Sequence, residues 1–136
     1  MGVRVAFDVG SVRIGVAVSD PSGILASPQP AIAAGENSVQ QAADLIAELN
    51  ASEVVIGLPR TLRGGESSST ELARTWACHV EAAIDIPVIL VDERLTTVQA
   101  QSAFIQTGQK TKKTKGKIDS AAAAVILQSY LDGLGR

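Results

Sequence analysis

From Val3 to Val9 the apolar residues Val3, Val5, Phe7 and Val9 alternate with Arg4, Ala6 and Asp8, the period-two pattern of a strand. Gly10 to Arg13 supplies turn residues, and alternation resumes through Ile14, Val16 and Val18 as far as Ser19, so an antiparallel hairpin is expected. Asp20-Pro21-Ser22-Gly23 closes it, and a third strand is predicted from Ile24 to about Ile32. Its Pro28 and Pro30 cannot donate to a ladder, which places that strand at a sheet edge. The spacing then switches. Asn37 or Ser38 offers an N-cap, and Val39, Ala42, Ala43, Ile46 and Leu49 recur as one face of a helix.

Two uninterrupted apolar runs follow, Val54-Val55-Ile56 within Glu53 to Leu58 and Val88 to Val91, as in parallel strands covered on both faces. A helix from Ser67 to Ile84 lies between them, with Leu72, Trp76, Val80 and Ala83 on its apolar side. Thr96 or Thr97 can cap a further helix ending near Thr107, and residues 108–117 contain no apolar side chain and are expected to form a mobile, Lys-rich loop. The last helix, from about Ile118 to Leu131, has no polar residue between Ala121 and Leu127 and must be largely buried. The order is β, β, β, α, β, α, β, α, α. It predicts an α/β domain with a five-stranded mixed sheet, an antiparallel three-strand meander continued by right-handed crossovers into two parallel strands.

Composition narrows this picture. The chain of 136 residues suits one domain spanning 1–136, with no internal repeat. A hydrophobic fraction of 46% with only 3% aromatics describes a core of Val, Ile, Leu and Ala. No run reaches the roughly 18 apolar residues needed to span a bilayer, and no signal-peptide pattern precedes the first strand, so no membrane partner and a cytoplasmic location are expected. Cys78 has no intramolecular disulfide partner and is expected to be a buried or neutral thiol. His79 is expected to be a packed or partly exposed structural histidine and Trp76 a core residue.

Sites in open α/β sheets form at the carboxyl ends of the strands. Asp8 closes the first strand, and Asp92 and Glu93 close the last. With Glu53 to Leu58 between them, their ends stand about 10 Å apart, two strand spacings. Asp119 begins the final helix and can complete the cluster. Such carboxylates suit a hard divalent cation, Mg or Mn, and two ions about 3.5 to 4 Å apart can activate water and stabilise a leaving oxygen without a nucleophilic side chain. Each acid also has a plainer role: Asp8 in a turn, Asp92 and Glu93 at the positive end of a helix, Asp119 as an N-cap.

The chain resembles the YqgF/RuvX family, RNase H-like proteins described as pre-16S rRNA nucleases and related to Holliday-junction resolvases. The resemblance rests on Phe7-Asp8-Val9-Gly10 with Arg13-Ile14-Gly15-Val16-Ala17, on Val55-Ile56-Gly57-Leu58-Pro59, on Asp92-Glu93-Arg94-Leu95-Thr96-Thr97, and on Lys115-Gly116-Lys117-Ile118-Asp119-Ser120-Ala121-Ala122, in the family's order. It implies an RNase H-like fold, a divalent metal, and an acidic catalytic and metal-binding site at Asp8, Glu93 and Asp119. It also implies processing of the 5′ end of the small-subunit ribosomal RNA precursor. Resolvase relatives are expected to carry an acid on the strand that here ends in Gly57-Leu58-Pro59; this chain has none there, and Glu93 on the neighbouring strand takes the burden.

Binding a nucleic-acid backbone is mostly phosphate neutralisation. Five of the twelve Lys and Arg residues, Lys110, Lys112, Lys113, Lys115 and Lys117, fall in one eight-residue segment beside Asp119. Arg60 and Arg63, before Gly64-Gly65, can meet phosphate near a helix N-terminus, although Glu66 opposes a strong anion site there. Arg13 and Arg94 lie near the acids in sequence and either orient phosphate or pair with a carboxylate. With so few aromatics, base stacking cannot dominate, and shape is the expected cue. Structured RNA is the expected partner, with branched DNA as the alternative, and an RNA-binding ribosome-assembly factor is the non-enzymatic one. A homodimer suits a resolvase; the sequence leaves monomer and homodimer both open.

Overall fold

A computed structural model describes residues 2–59, 67–93 and 120–134. Strands β1 (Arg4–Val9), β2 (Arg13–Ser19) and β3 (Ala26–Ala33) form the meander, followed by α1 (Ser38–Leu49), β4 (Glu53–Leu58), α2 (Ser68–Ala83), β5 (Val88–Asp92) and α3 (Ala121–Leu134). The sheet order is β3-β2-β1-β4-β5, with β1, β4 and β5 mutually parallel. This is the mixed five-stranded sheet that the hydrophobic pattern predicts. The expected helix from Thr96 or Thr97 to Thr107, the loop at 108–117 and the start of the last helix at Ile118 lie outside the described residues.

Alternation along the strands sorts two cores. On one face Val5, Phe7, Val9, Ile14, Val16, Val54, Ile56 and Leu58 pack against α1 and α2, with Phe7 edge-on to Trp76 at a ring-centroid distance of 5.2 Å. On the other, Ala6, Ala17, Ala26 and Val55 meet Ala123, Ala124, Ile126, Leu127 and Leu131 of α3. Small side chains on both sides of that second interface let the helix lie close to the strands. Asp8, two residues beyond Ala6, falls on the α3 face.

Local chemistry sets the ends of these elements. Gly10 donates to the Arg13 carbonyl at 3.0 Å across the β1–β2 turn, and a Cβ at Gly10 would sit 2.6 Å from that oxygen. Only glycine fits there. Helix α2 opens with a capping box between Ser67 and Thr70. In α1, Asn37 holds the N-cap position without a side-chain cap bond, and Ser38 instead donates to the Gly35 carbonyl at 2.8 Å and accepts from Trp76 Nε1 at 2.9 Å. That buried hydroxyl joins both helices on one face.

Four expectations are corrected. Strand β5 is half-buried, with Leu90 40% exposed, because it occupies a sheet edge among the described residues. Strand β3 starts at Ala26, since Asp20 Oδ1 accepts from the amides of Ile24 and Leu25 and draws both into the preceding turn. In α2 the buried stripe is Thr70, Ala73, Trp76, Ala77 and Val80, so Leu72 and Ala83 are exposed. Of the two states expected for Cys78, the buried one is corrected: the thiol is exposed, on the solvent side of that stripe beside His79.

Candidate active site

Parallel pairing puts the carboxyl ends of β1, β4 and β5 on one edge of the sheet. Phe7 pairs with Ile56 and Gly57 with Val91, so Asp8 and Gly57 stand side by side, and Asp8 pairs with Gly15 on its other flank. Asp8 is thus flanked on both neighbouring strands by glycines. Glu93 leaves the end of β5 on the same face as Val91 and leans back over Gly57, where a Cβ would come within 3.0 Å of both Glu93 Cγ and Oε2.

The two carboxyl groups meet there and share a hydrogen bond. Burial pushes the Asp8 carboxyl above its ordinary range, offset in part by the bond from Glu93. Glu93 is pushed up to about 7, first by burial, then by the charge of Asp8 and by its hydrogen bond to Asp8, with Asp92 adding to the same trend. Both shifts run in the same direction, so the pair retains a proton to higher pH than isolated carboxyls would. Two acids held together at such cost are a poor structural device. As a donor set, hard oxygens at a partly buried edge of the sheet, they fit a divalent cation, which would displace the shared proton. Among the described residues no third His, Cys, Asp or Glu joins the pair.

Asp119 lies outside the described residues, as do Arg60, Arg63, Arg94, Lys110, Lys112, Lys113, Lys115 and Lys117. Arg13 is described, exposed at the start of β2 beyond the Gly10 turn. The residue after Asp119 in the chain, Ser120, is fully buried. Its Oγ accepts from the Val16 amide at 2.9 Å and donates to the Gln29 carbonyl at 2.6 Å. The β2–β3 register slips between Ile14 and Val16, where Ile14 faces Ile32 but Val16 faces Gln29. Ser120 fills that bulge, replacing a ladder bond with its hydroxyl and fixing the start of α3 to the sheet. Neither Ser120 nor Gly57 was identifiable as a site-building residue from spacing; a glycine inside a strand pattern is the one signal the sequence carried.

Comparison with known proteins agrees with this architecture. The family model described as "RuvX: Holliday junction resolvase" matches residues 2–133. The chain belongs to the RuvX family. A RuvX relative from Rhodococcus opacus, described as "Putative pre-16S rRNA nuclease", is 42% identical over 142 residues, covering 99% of this chain and 80% of its own. One from Corynebacterium jeikeium with the same description is 46% identical over 134 residues, covering 96% and 86%. Among solved structures, Thermus thermophilus RuvC in complex with a Holliday junction substrate superposes with a TM-score of 0.68 at 13% identity, covering 99% of this chain and 96% of RuvC. The fowlpox virus resolvase bound to Holliday junction DNA gives 0.61 at 15% identity, covering 98% and 99%. Those two likenesses establish the RNase H-like fold. No helix among the described residues is long and apolar enough to cross a membrane.

Proposed function

We propose that this RuvX chain is a divalent-metal-dependent endonuclease acting in the cytoplasm on precursor small-subunit ribosomal RNA, as one catalytic domain over residues 1–136. The observation that carries the reading is the Asp8–Glu93 pair: two acids from strands on either side of β4, brought into hydrogen-bond contact at the carboxyl edge of the sheet. Relatives 42 to 46% identical to it over the aligned residues carry the pre-16S rRNA nuclease description. Asp8 and Glu93 would hold Mg or Mn with Asp119, and the bound cation would supply Lewis acidity toward phosphate and a more acidic water. Asp8 and Glu93 would orient that cation, and the proton held between them would be released to solvent as it binds. Lys110, Lys112, Lys113, Lys115 and Lys117, with Arg13, Arg60, Arg63 and Arg94, would neutralise the phosphates on either side of the scissile bond.

A second reading uses the same acids on four-way DNA junctions, and the family description favours it. The deciding experiment is a side-by-side cleavage assay on precursor ribosomal RNA and on junction DNA in Mg or Mn, with solution mass measured in parallel. Cleavage of the RNA at defined 5′ positions by a monomer or dimer is expected. Symmetric nicking of junctions by a dimer, with the RNA untouched, transfers the assignment to resolution; RNA binding without cleavage in any divalent ion makes the protein an assembly factor.

A further inference from the structure

Resting on the nuclease reading above, we infer that Gly57 is a positioning residue for the acidic pair: its missing side chain is the gap through which Glu93 crosses β4 to reach Asp8. Strands β1 and β5 are not neighbours, and two strand spacings separate their backbones by about 10 Å. A carboxylate on β5 can touch one on β1 only by lying across the face of β4. Gly57 is the β4 residue beside Asp8 and opposite Val91, on the face that Glu93 crosses.

Backbone conformation does not call for glycine here. Among the described residues the glycines with positive φ are Gly2 and Gly23, so Gly57 has a backbone open to any residue. Glycine inside a buried strand weakens it and marks a site of close approach. The approach is visible from two sides. A Cβ at 57 would lie 2.6 Å from Ile126 Cδ1 of α3, and 3.0 Å from Glu93 Cγ and Oε2. Ile126 is a packing neighbour and Glu93 a proposed metal ligand, so the glycine has two candidate reasons that substitution can separate.

Replacing Ile126 by Val deletes the Cδ1 atom and with it the tighter contact, leaving the crowding of Glu93. The test compares wild type, Ile126→Val, Gly57→Ala and Gly57→Ala/Ile126→Val as intact proteins, reading Mn affinity by calorimetry, the thermal midpoint, and kcat and KM for cleavage. Ile126→Val is expected to bind Mn within about twofold of wild type. The double variant is expected to regain much of the thermal midpoint lost in Gly57→Ala, yet to bind Mn at least about tenfold more weakly, the loss typical of disturbed ligand support, with kcat falling and KM for nucleic acid holding. Mn affinity in the double variant equal to that of Ile126→Val overturns the positioning role and leaves Gly57 as a packing residue. A crystal structure of the metal-free double variant decides the geometry separately. Glu93 turned away from Asp8 supports the inference, and Glu93 still bonded to Asp8 refutes it. Wild type that binds no Mn and cleaves nothing sinks the nuclease reading instead, while the crystal geometry still rules on Gly57.

Discussion

Strands β1 and β4 carry a carboxylate cluster near each of their ends, and the two clusters are built on opposite principles. At the start of the strands Arg4 and Glu53 face each other in register, with Arg4 Nε 2.5 Å from Glu53 Oε1, and Tyr130 of α3 donates to the same oxygen at 3.1 Å. Charge there is matched, and the helix, β1 and β4 are tied together by one satisfied network. At the far end Asp8 meets Glu93, an acid against an acid, both held above their ordinary ionisation range. The first cluster is what folding alone selects. The second sets two acids where burial disfavours their ionisation, an arrangement more common at functional sites than in structural networks, and the proposed metal-binding role rests on that difference.

Substitution at the two ends separates them most sharply. Asp8→Asn and Glu93→Gln are each expected to lower metal-dependent cleavage by more than about 100-fold, since a lost ligand exceeds the 10- to 100-fold cost of lost ligand support. The thermal midpoint of the metal-free protein should hold or rise, because an acid that burial holds above its ordinary ionisation range has been replaced by a neutral amide. Arg4→Ala should do the reverse. It strands Glu53 in a mostly buried setting and is expected to cost about 1 to 3 kcal/mol by denaturant titration, with kcat kept at temperatures where the variant is folded. A stability loss in Glu93→Gln as large as that in Arg4→Ala would make the acidic pair structural after all.

Ser120 sits between these extremes, a structural bond adjoining a proposed ligand. Ser120→Ala removes the bonds to the Val16 amide and the Gln29 carbonyl and should cost about 1 to 2 kcal/mol of stability. If the bulge anchors the end of α3 that adjoins Asp119, Mn affinity should fall as well, and Ser120→Thr should recover part of both. Loss of stability with Mn affinity unchanged would place Ser120 with Arg4 rather than with the acids.

How much of this was legible beforehand follows from the range of each interaction. Strand alternation, the prolines of β3 and the apolar runs of β4 and β5 are local signals, and they predicted the sheet and placed Asp8 and Glu93 on one edge. The stripe of α2 was misplaced by one position because Leu72 outweighs Ala73 on any hydrophobicity scale, whereas close packing of α2 favours the smaller residue. The half-burial of β5 depends on which strand ends the sheet, and no residue within Val88–Asp92 encodes that. Gly57 and Ser120 acquire their meaning from partners 36 and 104 positions away, Glu93 and Val16, so beyond the oddity of a glycine within an apolar strand their own neighbourhoods announced nothing.

The mildest test reads the acidic pair through pH alone. Glu93 has an ordinary value of 4.5 and is held at about 7 in the folded protein, so between those values the folded state binds more protons than the unfolded one. Its contribution to stability is therefore complete below about pH 4.5 and is lost as pH rises through about 7. In metal-free protein the unfolding free energy should fall between pH 5 and pH 8 by an amount on the order of 1 kcal/mol, discounted because the site is partly open to solvent, and the thermal midpoint should fall with it. Glu93→Gln should flatten that slope, and saturating Mg should reverse it, since a cation binds the deprotonated pair and stabilises the folded state more as pH rises. Arg4→Ala should leave the slope intact while lowering the whole curve. A wild-type midpoint that rises steadily from pH 5 to pH 8 without metal would mean that Asp8 and Glu93 do not share a proton, and the contrast between the two ends of the sheet would lose its electrostatic basis.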